Sequence, residues 1–447
     1  MELVGSIPVI GPFISTVLPF LVALGIVVFV HEFGHYIVAR WCGIRSEVFS
    51  IGFGPVLWAR RDRRGTVWQA AALPLGGYVK FLGDADGSSR ADPKSLERMT
   101  ASERAESFPG ASVWRRMATV LAGPVFNFLL TIVVFAGIVT WQGVPTERPT
   151  IGEIAPLPGV DQPLHAGDVV LEVDGQPVEG FEDIYARALD MADPAPMHFV
   201  VERDGQKVEV DAPYALPPLI ANVTPLMPAS KAGLKADDLV LEVDGTPIHS
   251  FNQFRDRVVA SLDKTLALTV LRDGAEVQLT VVPSLQEIDD GEGGFEKRSM
   301  IGAGGASLYS PATVTPMPWE ALWIGAERMV HVIGQSLHGM ASILTGALGA
   351  ENLQGPLGIA QISGEVASQG FLQFLGWVGV ISTAIGFLNL FPIPVLDGGH
   401  FVAFLIEAAR GRPPSPAVMQ VAMSIGLGLI LLLMVFATYN DIIRLVS

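Results

Sequence analysis

The sequence predicts a polytopic α-helical membrane protein of about four transmembrane helices. A tandem of small β-rich domains lies outside the membrane, and a short β-hairpin region is associated with it. Three observations predict this. Half of the 447 residues are hydrophobic and the mean hydropathy is +0.43, too apolar for an ordinary soluble chain. The apolar residues gather in runs long enough to cross a bilayer. Between the second and third runs lies an acidic segment that repeats a strand-like pattern.

The first span is expected at about 17–38, with Pro12 and Pro19 near its start. No basic residue precedes it and no small-residue cleavage site follows, so it reads as a retained span and not a removed signal peptide. Residues 40–116 then carry 13 Lys+Arg against 8 Asp+Glu, a net of +5. Within the 41–114 loop, Val48–Pro55 and Val67–Leu75 read as short strands, and much of 83–112 reads as linker. The second span, about 115–141, is opened by Trp114-Arg115-Arg116. Residues 142–320 hold 12 Lys+Arg against 29 Asp+Glu, a net of −17. A third span at about 371–409 is interrupted by Pro392, Pro394, Gly398 and Gly399, and a fourth follows at about 417–438. Arg410 and Arg412 lie between them. Because positive charge stays inside, 40–116 and 410–416 are expected in the cytoplasm, and 142–320 and both termini outside. Residues 319–348 are apolar, yet contain Glu327, Arg328, His331, Gln335 and His338. A fifth span there would put Arg410 and Arg412 outside, so this stretch reads as an amphipathic interfacial helix.

The acidic segment is duplicated. Asp168-Val-Val-Leu-Glu-Val-Asp-Gly175 matches Asp238-Leu-Val-Leu-Glu-Val-Asp-Gly245, and Arg203-Asp-Gly205 matches Arg272-Asp-Gly274. Phe181 and Phe251 each open a helical stretch after the Asp-Gly turns. Two β-rich copies are therefore expected, over 145–215 and 216–284, followed by a linker rich in Gly, Asp, Glu, Ser and Pro at 285–318. The run from Ala232 to Ile248 resembles a PDZ domain, and the first copy, from His165 to Leu171, is similar to one. PDZ domains capture extended peptide ends by adding a strand, so peptide ligands are expected partners, although such copies also serve as spacers or lids. The formal net charge of −16 argues against nucleic acid as a partner. A single cysteine, Cys42, excludes an intrachain disulfide and any zinc site built from several cysteines.

The chemistry gathers at His31-Glu32-Phe-Gly-His35, near the end of the first apolar run. Residues four apart share a helix face, so two imidazoles can address one metal ion, with Glu32 beside them as a candidate base. Ionisable side chains within a span are costly and mark function by default. A catalytic zinc needs a third protein ligand, and two acids are candidates. Glu47 is the nearest after His35, in a strand-like stretch. Asp397 lies in Asn389-Leu-Phe-Pro-Ile-Pro-Val-Leu-Asp397-Gly-Gly399, where prolines and glycines break an apolar run. Broken helices are tolerated at membrane depth where they line a cavity. The first and third spans run in the same direction, which puts Asp397 at a depth similar to the histidines.

Together, the H-E-x-x-H and N-x-x-P-x-P-x-x-D-G-G motifs, with the spans and the two PDZ-like copies, resemble the site-2 proteases, a family of intramembrane zinc metalloproteases. The resemblance implies Zn²⁺ held by His31, His35 and Asp397, with Glu32 as general base and acid and Asn389 positioning substrate. It implies that Gly52-Phe53-Gly54 belongs to a membrane-associated hairpin whose strand edge holds unwound substrate. Gly123, Pro124 and Asn127 match a G-P-x-x-N motif in the second span, read here as helix packing. The implied partners are membrane lipid and single-span proteins, such as an anti-sigma factor already cut in its ectodomain or remnant signal peptides. The implied setting is a bacterial inner membrane, with the PDZ-like copies in the periplasm, the active site towards the cytoplasm and a role in stress response. His400 is expected beside the site and not as a ligand. A non-catalytic PDZ scaffold and a metal transporter are the alternatives; neither requires Glu32.

Overall fold

The structure, a computed structural model, describes residues 10–84, 97–157, 160–191, 193–289 and 295–446. It divides into two units: the described parts of Met1–Ile138 together with Met317–Ser447, and Val139–Pro316. Among the described residues, four helices, all with at least part of their length in the first unit, are long and apolar enough to cross a membrane: Ile14–Trp41, Val113–Gln142, Phe371–Asn389 and Pro416–Leu445.

The chain enters through α1 (Ile10–Trp41), which ends where Gly43 takes the left-handed conformation, φ 71°. Two long strands follow, β1 (Ser46–Arg61) and β2 (Val67–Phe81). Residues 48–51 pair with 77–80 on one side and with 67–70 on the other. The hairpin is therefore bent on itself, and Gly52 and Gly54 supply positive φ at the bend. Of the stretch read as linker, residues 85–96 lie outside the described residues. The rest carries α2 (Ala101–Glu106), closed by a Thr100–Glu103 capping box, and the buried Phe108, stacked on Phe81. Next comes α3 (Val113–Gln142), with Pro124 inside it.

In the second unit two antiparallel sheets have the same layout. The first holds β3 (Val169–Val173), β4 (Gln176–Pro177), β5 (Met197–Arg203) and β6 (Gln206–Ala212), in the order β4-β3-β5-β6, with helix α4 (Phe181–Asp190). The second holds β7 (Leu239–Val243), β8 (Thr246–Pro247), β9 (Leu266–Arg272) and β10 (Ala275–Val281), in the order β8-β7-β9-β10, with α5 (Phe251–Val259). Arg203 grips Asp168 in a two-pronged ion pair at 2.7 and 2.6 Å, and Arg272 grips Asp238 at the same distances. The linker expected at 285–318 is a correction. Ser284–Asp289 pairs with Phe295–Met300, Ala303–Gly305 with Ile220–Val223, and Tyr309–Pro311 with Ile151–Ile154. Ile301 enters the second sheet's core, and Leu308 and Tyr309 enter the first's. The polar, Gly-rich composition hid these strands because each is short and buries only a few of its side chains.

The chain then returns to the first unit with α6 (Pro318–Thr345) over the stretch read as amphipathic. A helix not expected from the sequence, α7 (Pro356–Gln369), follows. Its amino end is held by the buried Asp441 carboxylate, which accepts from the Gly355 and Gly358 amides at 3.0 Å each. The interrupted third span is two helices, α8 (Phe371–Asn389) and α9 (Asp397–Arg410), before the last, α10 (Pro416–Val446). Small and hydroxylated residues let α3 and α8 approach closely. Ser382 donates to the Asn127 carbonyl at 2.9 Å, and Thr131 donates to the Gly379 carbonyl at 3.0 Å.

Candidate metal centre

The H-E-x-x-H histidines lie on the face of α1 that meets α3. Gly34 permits that approach, since a Cβ there would come within 2.5 Å of the Ala122 carbonyl. Gly123 leaves room for the rings: a Cβ would lie 2.4 Å from His35 Nε2 and 2.7 Å from His31 Cε1. His35 Nδ1 donates to the Thr119 carbonyl at 2.8 Å, which turns its Nε2 inwards. His31 Nδ1 lies 3.2 Å from the Asn127 amide nitrogen. Both imidazoles are buried.

Asp397 is the first residue of α9. The break before it folds tightly, because Gly398 and Gly399 sit against the Leu390, Phe391 and Ile393 carbonyls, where a Cβ would come within 2.2–2.4 Å. Asp397 Oδ2 consequently lies 3.1 Å from His31 Nε2 and 3.5 Å from His35 Nε2, and the two nitrogens are 3.2 Å apart. Two ligands at about 2.0–2.1 Å from zinc in tetrahedral geometry are about 3.3 Å apart. All three sides of the donor triangle are close to that length. Two neutral-nitrogen donors and a carboxylate are also a usual set for a catalytic zinc, which keeps a fourth position open.

Glu32 stands beside the triangle, and Val79 lines the same cavity next to it. Gly77 lies close against it, since a Cβ there would be 3.0 Å from Glu32 Cγ. The strand end 77–81 thus borders the site directly. A cavity of about 240 Å³ is lined by His31, Glu32, His35, Tyr78, Asn389, Asp397 and His400, among others. The space holds the three donors, a carboxylate that can accept a proton, and room for a peptide backbone.

The candidates divide accordingly. His31, His35, Glu32, Asp397 and Asn389 share the cavity, with the Asn389 side chain turned back to donate to the Ile385 carbonyl at 3.1 Å. Glu47 is excluded from it and pairs with Lys80 at 3.1 Å. Gly52, Phe53 and Gly54 do not line it. They reach it indirectly, through the Phe53 ring stacked on Tyr78 at 6.2 Å between centroids. Gly123 and Asn127, read as packing residues, touch the imidazoles themselves. Their spacing carried the signal, because residues 123 and 127 are four apart on one helix face, as His31 and His35 are.

Comparison with known proteins bears on this geometry. The family description "Peptidase family M50" matches residues 19–433. A protein of Agrobacterium fabrum, named as a zinc metalloprotease, is 36% identical over 437 residues that cover 96% of each chain. One from Vibrio cholerae, named likewise, is 32% identical, over 95% of this chain and 98% of its own. The regulator of sigma-E protease RseP of Salmonella typhimurium is 34% identical over 465 aligned positions, 95% of this chain and 98% of its own.

Proposed function

The chain belongs to peptidase family M50 and is a multi-pass zinc metalloprotease; from that premise we propose that it hydrolyses a peptide bond in or next to the transmembrane segment of single-span membrane proteins. The observation that carries this reading is the donor triangle with Glu32 beside it, in one cavity of a four-span helical unit.

In this reading His31, His35 and Asp397 hold the Zn²⁺. When bound, the ion polarises the scissile carbonyl and lowers the pKa of water. Glu32 takes the proton of the attacking water and returns it to the leaving amine. Asn389, at the carboxyl end of α8, positions the substrate. A transmembrane helix satisfies its own backbone and resists cleavage, so the substrate must unwind. The strand end at 77–81 offers backbone groups to receive it, and Gly52-Phe53-Gly54 shape the bend that presents this strand.

The wider setting follows the relative named regulator of sigma-E protease. Substrates are anti-sigma factors already cut outside the membrane, or remnant signal peptides. The membrane is a bacterial inner membrane, with the site towards the cytoplasm. The two sheet domains, over about 145–215 and 216–284, are PDZ-like and periplasmic, and they admit only shortened ectodomains. The test uses the purified chain with a model single-span substrate, intact or trimmed. Glu32→Gln is expected to abolish cleavage of the trimmed form while keeping its zinc. Turnover by that variant would refute the role given to Glu32, and equal cutting of intact and trimmed substrate would remove the size filter.

A further inference from the structure

A second polar cavity, of about 400 Å³, opens beyond the carboxyl end of α1 and away from the metal centre. Arg40, Arg45, Arg64, Ser46 and Thr66 line it, with Tyr36 at its wall. None of the three guanidinium groups forms an ion pair with a described residue. Arg40 is aimed by Tyr36, whose hydroxyl accepts from Arg40 Nη1 at 3.2 Å and donates to Asp62 at 3.3 Å. Asp62 makes no direct ion pair with the three: its oxygens accept from the amides of Arg64 and Thr66, from Trp68 Nε1 and from Tyr36. The one acid in the lining, Glu106, pairs with none of the arginines. Thr66 spends its hydroxyl on the Ser46 carbonyl at 2.9 Å. The Ser46 hydroxyl, on a residue 5% exposed, is left buried with no partner. An unpartnered hydroxyl and three guanidiniums held in no direct ion pair, outnumbering the acid of the lining, are the donor set that a phosphate group recruits.

The depth of the cavity says where the phosphate comes from. Trp41 closes α1 and Trp114 opens α3, and they are 71% and 69% exposed. Arg115 donates to the Cys42 carbonyl, which ties those two helix ends together. Exposed tryptophans at helix ends mark the membrane–water interface, so a cavity just beyond them lies among lipid head groups.

We propose that this cavity binds the phosphate of an anionic phospholipid, seating the turn between β1 and β2 on the bilayer surface. The test titrates phosphatidylglycerol onto the full-length, detergent-solubilised protein against a phosphatidylcholine background, and counts retained lipid by native mass spectrometry. Each arginine near an anionic surface contributes about five-fold in affinity. R45Q/R64Q is therefore expected to bind phosphatidylglycerol about 25-fold more weakly, with an unchanged melting temperature in the absence of lipid. Arg64→Gln alone, at an exposed turn position, should cost about five-fold and serves if the double variant does not fold. R410Q/R412Q, which removes the same charge elsewhere, should leave binding unaltered. Inorganic phosphate is the second probe: binding as tight as the lipid's would assign the site to a free phosphate. The proposal fails if the R45Q/R64Q or Arg64→Gln variant binds like the parent, or if R410Q/R412Q loses as much as R45Q/R64Q.

Discussion

Asn127 provides the sharpest test of the metal centre. A histidine that ligates through Nε2 carries its proton on Nδ1, and that proton needs an acceptor. His31 Nδ1 faces the Asn127 side-chain amide nitrogen at 3.2 Å, while the side-chain oxygen Oδ1 of Asn127 is buried without a partner. The two ends of a carboxamide have nearly the same shape. A half turn about χ2 places the oxygen against Nδ1–H and fixes the tautomer that leaves Nε2 free for zinc. The backbone of Asn127 is held by Ser382, so its side chain has little freedom to move elsewhere. Losing such an outer partner costs about 10–100-fold in metal affinity, which is about 1.4–2.7 kcal/mol. Asn127→Leu should weaken zinc binding by that factor, measured by competition with a chelator of known affinity on the purified chain. Asn127→Asp keeps an acceptor of the same size and should retain most of the affinity. If Asn127→Leu binds zinc like the parent, or Asn127→Asp is as weak as Asn127→Leu, the amide does not orient His31.

Three further outcomes are expected. Gly123→Ala improves local helix propensity but puts a methyl 2.4 Å from His35 Nε2, so zinc content and proteolysis should both fall while the helical circular dichroism stays. Asp168→Ala leaves Arg203 without its partner and should destabilise the first sheet domain by about 3 kcal/mol, the low end for a buried pair because Arg203 keeps some exposure; amide exchange across 197–212 in the full chain reads it. Burial works against ionisation of Asp168, yet Arg203 and the His165 amide hold its carboxyl below the usual range. That stabilisation is complete above the unfolded value of about 3.9 and is lost as the pH falls through the lower folded value. Protection across 197–212, corrected for the pH dependence of intrinsic amide exchange, should thus hold steady to about pH 4 and fall below it, and a flat corrected profile there would mean that the pair contributes nothing.

The parts of the fold legible in the sequence were those written in one dimension. Uninterrupted apolar length announced four candidate spans, and a fixed offset between Asp-Val-Val-Leu-Glu-Val-Asp-Gly and its copy announced two sheet domains. The parts that escaped depend on partners far away in the chain. Residues 303–311 are short and Gly-rich, and they are strands only because Ile151–Ile154 and Ile220–Val223 offer edges about 80 to 160 residues earlier. Helix α7 has no apolar stripe long enough to stand out, and its start is fixed by an aspartate at the other end of the unit.

The candidate site was legible to the same degree and for the same reason. H-E-x-x-H shows two donors because a helix brings residues four apart together by local geometry alone. The third donor lies 362 residues from His35, and no periodicity connects them. What connects them in space is a set of glycines that remove side chains where backbones must touch: Gly34 and Gly123 between α1 and α3, Gly386 between α8 and α3, and Gly398 and Gly399 within the break before α9. Gly386 would set a Cβ 3.1 Å from that of Asn127 and 3.2 Å from the Pro124 carbonyl, so α8 reaches the helix that carries the imidazole supports. In sequence these glycines look like ordinary helix packing, and energetically they are packing. Their chemical consequence is that α3 acts as a wedge holding His31 and His35 from one side while α9 delivers Asp397 from another. A donor triangle with sides of 3.1, 3.2 and 3.5 Å tolerates a shift of only a few tenths of an ångström before one ligand is lost to a bound zinc. Packing residues on α3 should therefore be as intolerant of added volume as the ligands are of replacement, and the two kinds of damage separate by readout. A ligand substitution removes a donor and leaves the helices in place, whereas a methyl at Gly34, 2.5 Å from the Ala122 carbonyl, forces α1 and α3 apart and should lower thermal stability together with zinc content.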